Sequence, residues 1–170
     1  MKILIIGIVA SGKTTLARKL SKENNITNYE IDSIVHDDIN KRKRTNEEQQ
    51  KIIEKINKQE NWIIEGTLRK NLYNLLDIAD KIIYLDIPLK IRKRRILYRY
   101  IKQRLGLEKC NYMPNMKMLK NMYKWTSEFE NNKINFEKDL FRYEEKLTIL
   151  QSKGKIKKYV NGDGSIWHWY

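Results

Sequence analysis

Residues 2–6, Lys-Ile-Leu-Ile-Ile, make a short apolar run without alternation, the pattern of a parallel strand covered on both faces. Runs of the same character stand at 29–31, 62–64 and 81–85. Between them, polar and apolar positions take helical spacing over 13–22, 46–59 and 68–78. Strand alternating with helix predicts an α/β fold of three layers, a mostly parallel five-stranded sheet flanked by helices. Pro88 is placed to open a helix over 89–105, and a polar break follows around 106–114. Beyond it, Leu119, Met122, Phe129, Phe136, Leu140, Tyr143, Leu147 and Leu150 recur at three- and four-residue spacing. That stripe predicts one or two long helices with an apolar packing face. A last strand is expected over 155–160, before the turn Asn161-Gly162-Asp163-Gly164. With 170 residues, no internal repeat and no linker, the chain reads as one domain, 1–170, carrying a lid-like helical insertion at about 88–150.

The first strand runs directly into Gly7-Ile8-Val9-Ala10-Ser11-Gly12-Lys13-Thr14, which satisfies G-x-x-x-x-G-K-[ST] and opens the first helix. In that context the pattern has a mechanism. Gly7 and Gly12 let the backbone wrap so that the amides of the loop, Ala10, Ser11 and Gly12 among them, point at an anion, and the helix N-terminus adds its dipole. Lys13 is expected on the β- and γ-phosphates of ATP, the Thr14 hydroxyl in the shell of a Mg²⁺, and Thr15 on the α-phosphate. The loop is therefore expected to be a polyphosphate socket of the P-loop kind.

Charge bears on the rest of the site. Against 21 acidic residues stand 35 basic ones, a net +14, which favours a polyanionic partner: nucleotide phosphates, nucleic acid or an anionic membrane surface. Eight of the basic residues fall between 87 and 104, a stretch without one acid. On a helix, Arg92, Arg95, Arg99 and Lys102 lie within about 80° of arc. Arg95 and Arg99 are read as facing the γ-phosphate, where arginine forks suit developing charge. Arg92, Arg94 and Lys102 are read as a solvated or surface-binding face.

Asp32, at the end of the second strand, should reach the carboxyl edge of the sheet beside the loop. It is placed to accept a proton from an acceptor hydroxyl or to hold a Mg²⁺ water, and equally to cap a helix, with Ser33 beside it. Glu65 ends the strand after Trp62 by the same logic, with Arg69 four residues on. A lone Cys110 forms no intrachain disulfide and, with His36 and His168, no familiar zinc site. No segment is apolar enough to span a bilayer, so a cytoplasmic protein without a membrane partner is expected.

The segment Trp62-Ile63-Ile64-Glu65-Gly66-Thr67-Leu68-Arg69 resembles the strand and D-G-x-x-R motif of adenylate-kinase-like nucleoside monophosphate kinases, with Glu65 standing for Asp. Pro88 followed by Arg95 and Arg99 is similar to the helix before their lid, and 159–166 to the loop beside their adenine. Ile31-Asp32-Ser33 adds a resemblance to the small relatives known as DNA topology modulation proteins. The resemblance implies a phosphotransferase using ATP and Mg²⁺, with Lys13, Asp32, Arg69, Arg95 and Arg99 in catalysis. It places Asp32, Ser33, Glu65 and Arg69 on the acceptor, Thr14 and Asp32 at the metal, and Asn161 and Gly162 near the nucleotide. A long lid and a cysteine zinc lid are both missing between 104 and 114.

Other P-loop classes fit less well. No N-K-x-D guanine reader follows a late strand, and a motor or AAA-type ATPase is expected to have more chain and a strand ending in paired acids, of which Tyr84-Leu85-Asp86 is a partial echo. The alternative from a different class is an ATP-gated, nucleic-acid-associated regulator that grips phosphate backbone with the 87–104 stripe. Nothing in the sequence reads an acceptor.

Overall fold

The structure is a computed structural model and describes residues 1–107 and 115–163. Its elements run β1 (Lys2–Ile6), α1 (Lys13–Asn24), β2 (Asn28–Glu30), α2 (Ile31–Val35), β3 (His36–Asp37), β4 (Arg42–Lys43) and α3 (Asn46–Asn57). Then follow β5 (Trp62–Gly66), α4 (Asn74–Ile78), β6 (Lys81–Leu85), α5 (Leu89–Arg104), α6 (Met116–Phe141), β7 (Leu147–Leu150) and α7 (Lys153–Lys158). Five strands form one sheet in the order β2-β5-β1-β6-β7, every pairing parallel. β3 and β4 make a separate short antiparallel ribbon.

The continuous apolar runs are explained by what covers them. Leu4, Ile6, Ile64, Ile82 and Tyr84 face one core with Leu72, Leu75, Ile53 and Leu140, while Ile3, Ile5, Ile63 and Ile83 face the other with Leu16, Ala17 and Leu20. With both faces buried, alternate polar residues would be desolvated without partners, so no alternation survives. Helices therefore sandwich the sheet in three layers, as expected.

Local chemistry sets several boundaries. Thr45 caps α3 in a reciprocal capping box with Glu48, whose carboxylate is also gripped by Arg42 of the ribbon. Asn115 caps α6 by accepting from the Met118 amide at 2.8 Å.

Three expectations change. The last strand is 147–150, not 155–160. Leu147, Thr148, Ile149 and Leu150 pair with Ile82 through Leu85, and the helix that precedes them ends at Phe141. Two strand residues, Leu147 and Leu150, happened to continue a three-and-four spacing that belongs to α6. Residues 155–158 are helical instead because Ser152 caps them, its hydroxyl accepting from the Lys155 amide at 3.1 Å. The second strand ends at Glu30, so Asp32 lies in the first turn of α2 and does not close a strand.

Candidate active site

β1 delivers the chain to the carboxyl edge of the sheet, and residues 7–12 wrap there before α1 begins at Lys13. Two glycines make the wrap possible. A Cβ on Gly7 would lie 2.9 Å from both the Leu85 carbonyl and the Ser11 hydroxyl, and Gly12 caps α1 at φ +104°, where side chains strain. Ala10 is left-handed as well, at φ 60°, a conformation that costs an L-residue about 1–2 kcal/mol and that clusters at ligand-binding loops. Ser11 is buried and its hydroxyl has no hydrogen-bond partner. A buried orphan hydroxyl in this loop is what an incoming phosphate oxygen would satisfy. The Ser11 amide, expected to face the anion, donates instead to the Ile8 carbonyl at 3.2 Å.

Lys13 folds back so that Nζ donates to the Ile8 carbonyl at 3.0 Å. Burial lowers its pKa, against the pull of Glu65 and Asp32, and the charges of Arg92 and Arg99 lower it further. Thr14 donates through Oγ1 to Glu65 Oε1 at 2.6 Å. β5 pairs directly with β1, Ile5 opposite Glu65 and Ile6 opposite Gly66, which is how a residue 51 positions away reaches the loop. Burial raises the Glu65 pKa, with the Thr14 bond and Lys13 opposing. Gly66 is required by contact: its Cβ would fall 2.5 Å from that of Ile31. Thr67, which sequence reading passed over, donates to the Gly7 carbonyl at 3.2 Å and ties β5 to the loop. Its only signal was its place two residues after Glu65.

Arg95 reaches across from α5, Nη1 donating to the carbonyls of Ala10 at 3.1 Å and Ser11 at 2.9 Å. Arg99, one turn on, is close enough for its charge to act on Lys13. Arg69 pairs with Asp32, Nη2 to Oδ1 at 3.1 Å, and the Asp32 side chain is 75% exposed at the mouth of the site. Ser33 is exposed beside it, its carbonyl taken by Arg44 at 2.6 Å. Thr15 is exposed on the first turn of α1.

The rest of the expected set lies elsewhere. Asn161 and Gly162 sit in a π-helical turn after α7, where Asn161 Oδ1 accepts from Lys19 of α1 at 3.5 Å. The loop that follows the last strand at the sheet edge is instead 151–152, with Gln151 donating to Asp86 at 3.2 Å. Asp86 itself is braced by Lys133 at 2.6 Å, so the acid beside the loop threonine is Glu65. Arg92 is not solvated. It is 1% exposed, donating from Nε to the Ile87 carbonyl at 2.7 Å and paired with Glu130 of α6. His36 is exposed, as expected of a surface residue. Cys110 and residues 164–170, with Trp167, His168 and Trp169, lie outside the described residues.

The donors fit a Mg²⁺. Thr14 Oγ1 and Glu65 supply adjacent oxygens at the loop and Asp32 a third nearby, while the ion takes its remaining ligands from water and phosphate, so a dedicated cage is not needed. Among the described residues no group of three or more His, Cys, Asp or Glu is arranged to hold a metal alone. No described helix is long and apolar enough to cross a membrane.

Solved structures share the fold. Shikimate kinase from Bacteroides thetaiotaomicron superposes with TM-score 0.59 at 14% identity, over 93% of each chain. Deoxyadenosine kinase from M. mycoides, solved with bound dATP, gives 0.54 at 17% identity, over 97% of this chain and 100% of the other. At such identities the likeness is one of fold. A protein of Bacillus subtilis (strain 168), uncharacterized protein YqaC, is 31% identical over 130 residues, 76% of this chain and 72% of its own. The profile of the AAA domain family matches residues 3–114, from β1 through the basic helix. The match runs against the expectation that an AAA-type protein has more chain and a strand ending in paired acids: it spans four strands of the sheet, with the single acid Glu65 beside the loop threonine. On that match the chain belongs to the AAA domain family of P-loop NTPases.

Proposed function

We propose that the protein is an ATP-dependent phosphotransferase, built like the adenylate-kinase-like and DNA topology modulation proteins, that moves the γ-phosphate of MgATP to a nucleotide or other small acceptor. The observation that carries this reading is Arg95. It comes from a separate element to lie on the carbonyls of Ala10 and Ser11, where a guanidinium can follow charge onto a transferring phosphoryl group. In this reading 1–170 is one domain and α5 and α6 belong to its lid-like insertion.

The acceptor binds between Asp32, Glu65 and Arg69. Lys13 leaves the Ile8 carbonyl for the β- and γ-phosphates, and Arg95 and Arg99 close on the equatorial oxygens. Thr14, with Glu65 and Asp32, would hold a Mg²⁺, which when bound would neutralise phosphate charge. The acceptor oxygen attacks the γ-phosphorus, the bond to the bridging oxygen breaks, and ADP leaves with that electron pair. Where the acceptor is a hydroxyl, its proton passes to the Asp32 carboxylate, which Arg69 orients. The test is ADP formation with a panel of nucleoside monophosphates, nucleosides and hydroxylated metabolites, in the wild type and in Lys13→Ala.

A second reading, a nucleic-acid-associated ATP switch, is favoured by the exposed side of α5. Lys90, Arg94 and Arg104 are exposed there without an acid on the helix, and Lys102 lies 4.7 Å over the ring of Tyr98. Oligonucleotide affinity that falls steeply with salt, and that is lost when Lys90, Arg94 and Arg104 are replaced together, supports it.

A further inference from the structure

α5 buries three residues, Arg92, Ile96 and Gln103, and exposes Ile91, Leu97, Tyr98 and Ile101. A helix whose inner face is mostly polar is not placed by the hydrophobic effect alone. Arg92 is the extreme case. Its guanidinium is held at two points, Nε by the Ile87 carbonyl and Nη2 by Glu130, while Nη1 is buried without a hydrogen-bond partner. Stability does not account for such a group. A buried ion pair replaced by apolar side chains of similar size is often as stable or more so, because desolvation offsets attraction.

Position suggests what the charge is for. At 100° per residue Arg92 and Arg99 point about 20° apart, and Arg95 about 60° from Arg92, so the three share the side of α5 turned to the phosphate loop. The positive charges of Arg92 and Arg99 are both felt at Lys13. Arg92 also touches both ends of the geometry that aims Arg95: the loop at Ile87 that starts α5, and α6 behind it through Glu130.

We infer that Arg92 is a positioning residue of the phosphate site: braced by Ile87 and Glu130, it fixes the rotation of α5 that lays Arg95 across Ala10 and Ser11, and its positive charge strengthens the socket for the polyphosphate. The inference rests on the reading of that socket as an ATP site. It makes Glu130, on a helix remote from the loop, a determinant of nucleotide affinity.

The double variant Arg92→Met/Glu130→Met separates this role from packing. Thermal unfolding and equilibrium titration with MgATP are read together, with Arg92→Lys and Arg94→Met alongside. The double variant is expected to melt within a few degrees of the wild type and to bind ATP at least tenfold more weakly. Arg92→Lys, which keeps the charge but not the fork, is expected to recover part of that loss, and Arg94→Met, on the exposed side, to bind as the wild type does. A double variant that fails to fold, or that folds and binds ATP with wild-type affinity, overturns the inference. If Lys13→Ala also binds ATP normally, the ATP site itself is wrong; if only the acceptor panel is silent, the role of Arg92 stands untouched.

Discussion

Thr14 and Glu65 meet across 2.6 Å at the point where α1 starts and β5 ends, a hydroxyl donating to a carboxylate that is 3% exposed. The contact joins the glycine loop to β5, the strand that the proposed function places on the acceptor side. The Glu65 arm spans from β5 to Thr14 while Gly66 stays packed on Ile31.

Glu65 gives the first prediction, in pH. Its folded pKa is raised above 4.5 by burial, so from pH 4.5 up to the folded value the folded chain keeps a proton that the unfolded chain releases. Stability contributed by this group is therefore lost as pH rises through that window. Glu65→Gln keeps an acceptor for Thr14 without titrating. Its melting temperature should gain on the wild type as pH rises from about 4.5, and melting curves of the two proteins that shift in parallel would refute the assignment.

Arg95→Ala should leave the melting temperature within about 2 °C of the wild type, since the side chain is half-buried and its hydrogen bonds among the described residues go to loop carbonyls. Turnover should fall on the order of 100-fold, the usual loss when one aimed donor to a developing charge is removed. Steady-state kinetics beside Arg94→Ala, which points to solvent, checks both halves.

Gly66→Ala should destabilise by about 1–3 kcal/mol, because the added methyl meets Ile31 at a separation that carbon atoms do not tolerate. Ile31→Gly in the same chain, which removes the Cβ that the methyl meets, should return part of the loss. Denaturant unfolding of the three variants measures it, and independent, additive effects would contradict the contact.

Thr45→Ala should destabilise by about 1 kcal/mol through loss of the α3 capping box, with nucleotide affinity unchanged. Glu48 in that box is held down to about 2 by Arg42 and the Thr45 amide. Its support is present above the ordinary carboxylate value of 4.5 and is lost as pH falls toward 2. Stability of the wild type should accordingly fall more between about pH 4.5 and 2 than that of Glu48→Gln, while Thr45→Ala should fall in parallel with the wild type because Arg42 and the residue-45 amide remain.

The parts of this molecule legible in sequence are those dictated locally. β1, the loop glycines and α1 are contiguous, and their pattern carries its own mechanism, so 2–24 was readable almost residue by residue. Glu65 and Arg95 could be placed near the loop because strand ends and helix faces in a parallel sheet converge at one edge, and Arg69 by the resemblance of its motif; the structure sets all three at that edge. What escaped was decided by tertiary pairing. Whether 147–150 is strand or helix depends on the open edge of β6, and four residues cannot announce it. Arg92 carries the same charge as its neighbours and is distinguished only by Glu130, 38 residues away on another helix. Thr67 matters through one bond to a backbone carbonyl, which composition does not mark.

The most direct test of the central claim is MgATP consumption measured across the acceptor panel in wild type, Lys13→Ala and Arg95→Ala. The account predicts ADP formation stimulated by one acceptor class, with the phosphate recovered on that acceptor, and loss of the stimulation in both variants. ATP hydrolysis that no acceptor changes, or stimulated turnover that survives in Lys13→Ala, would contradict it.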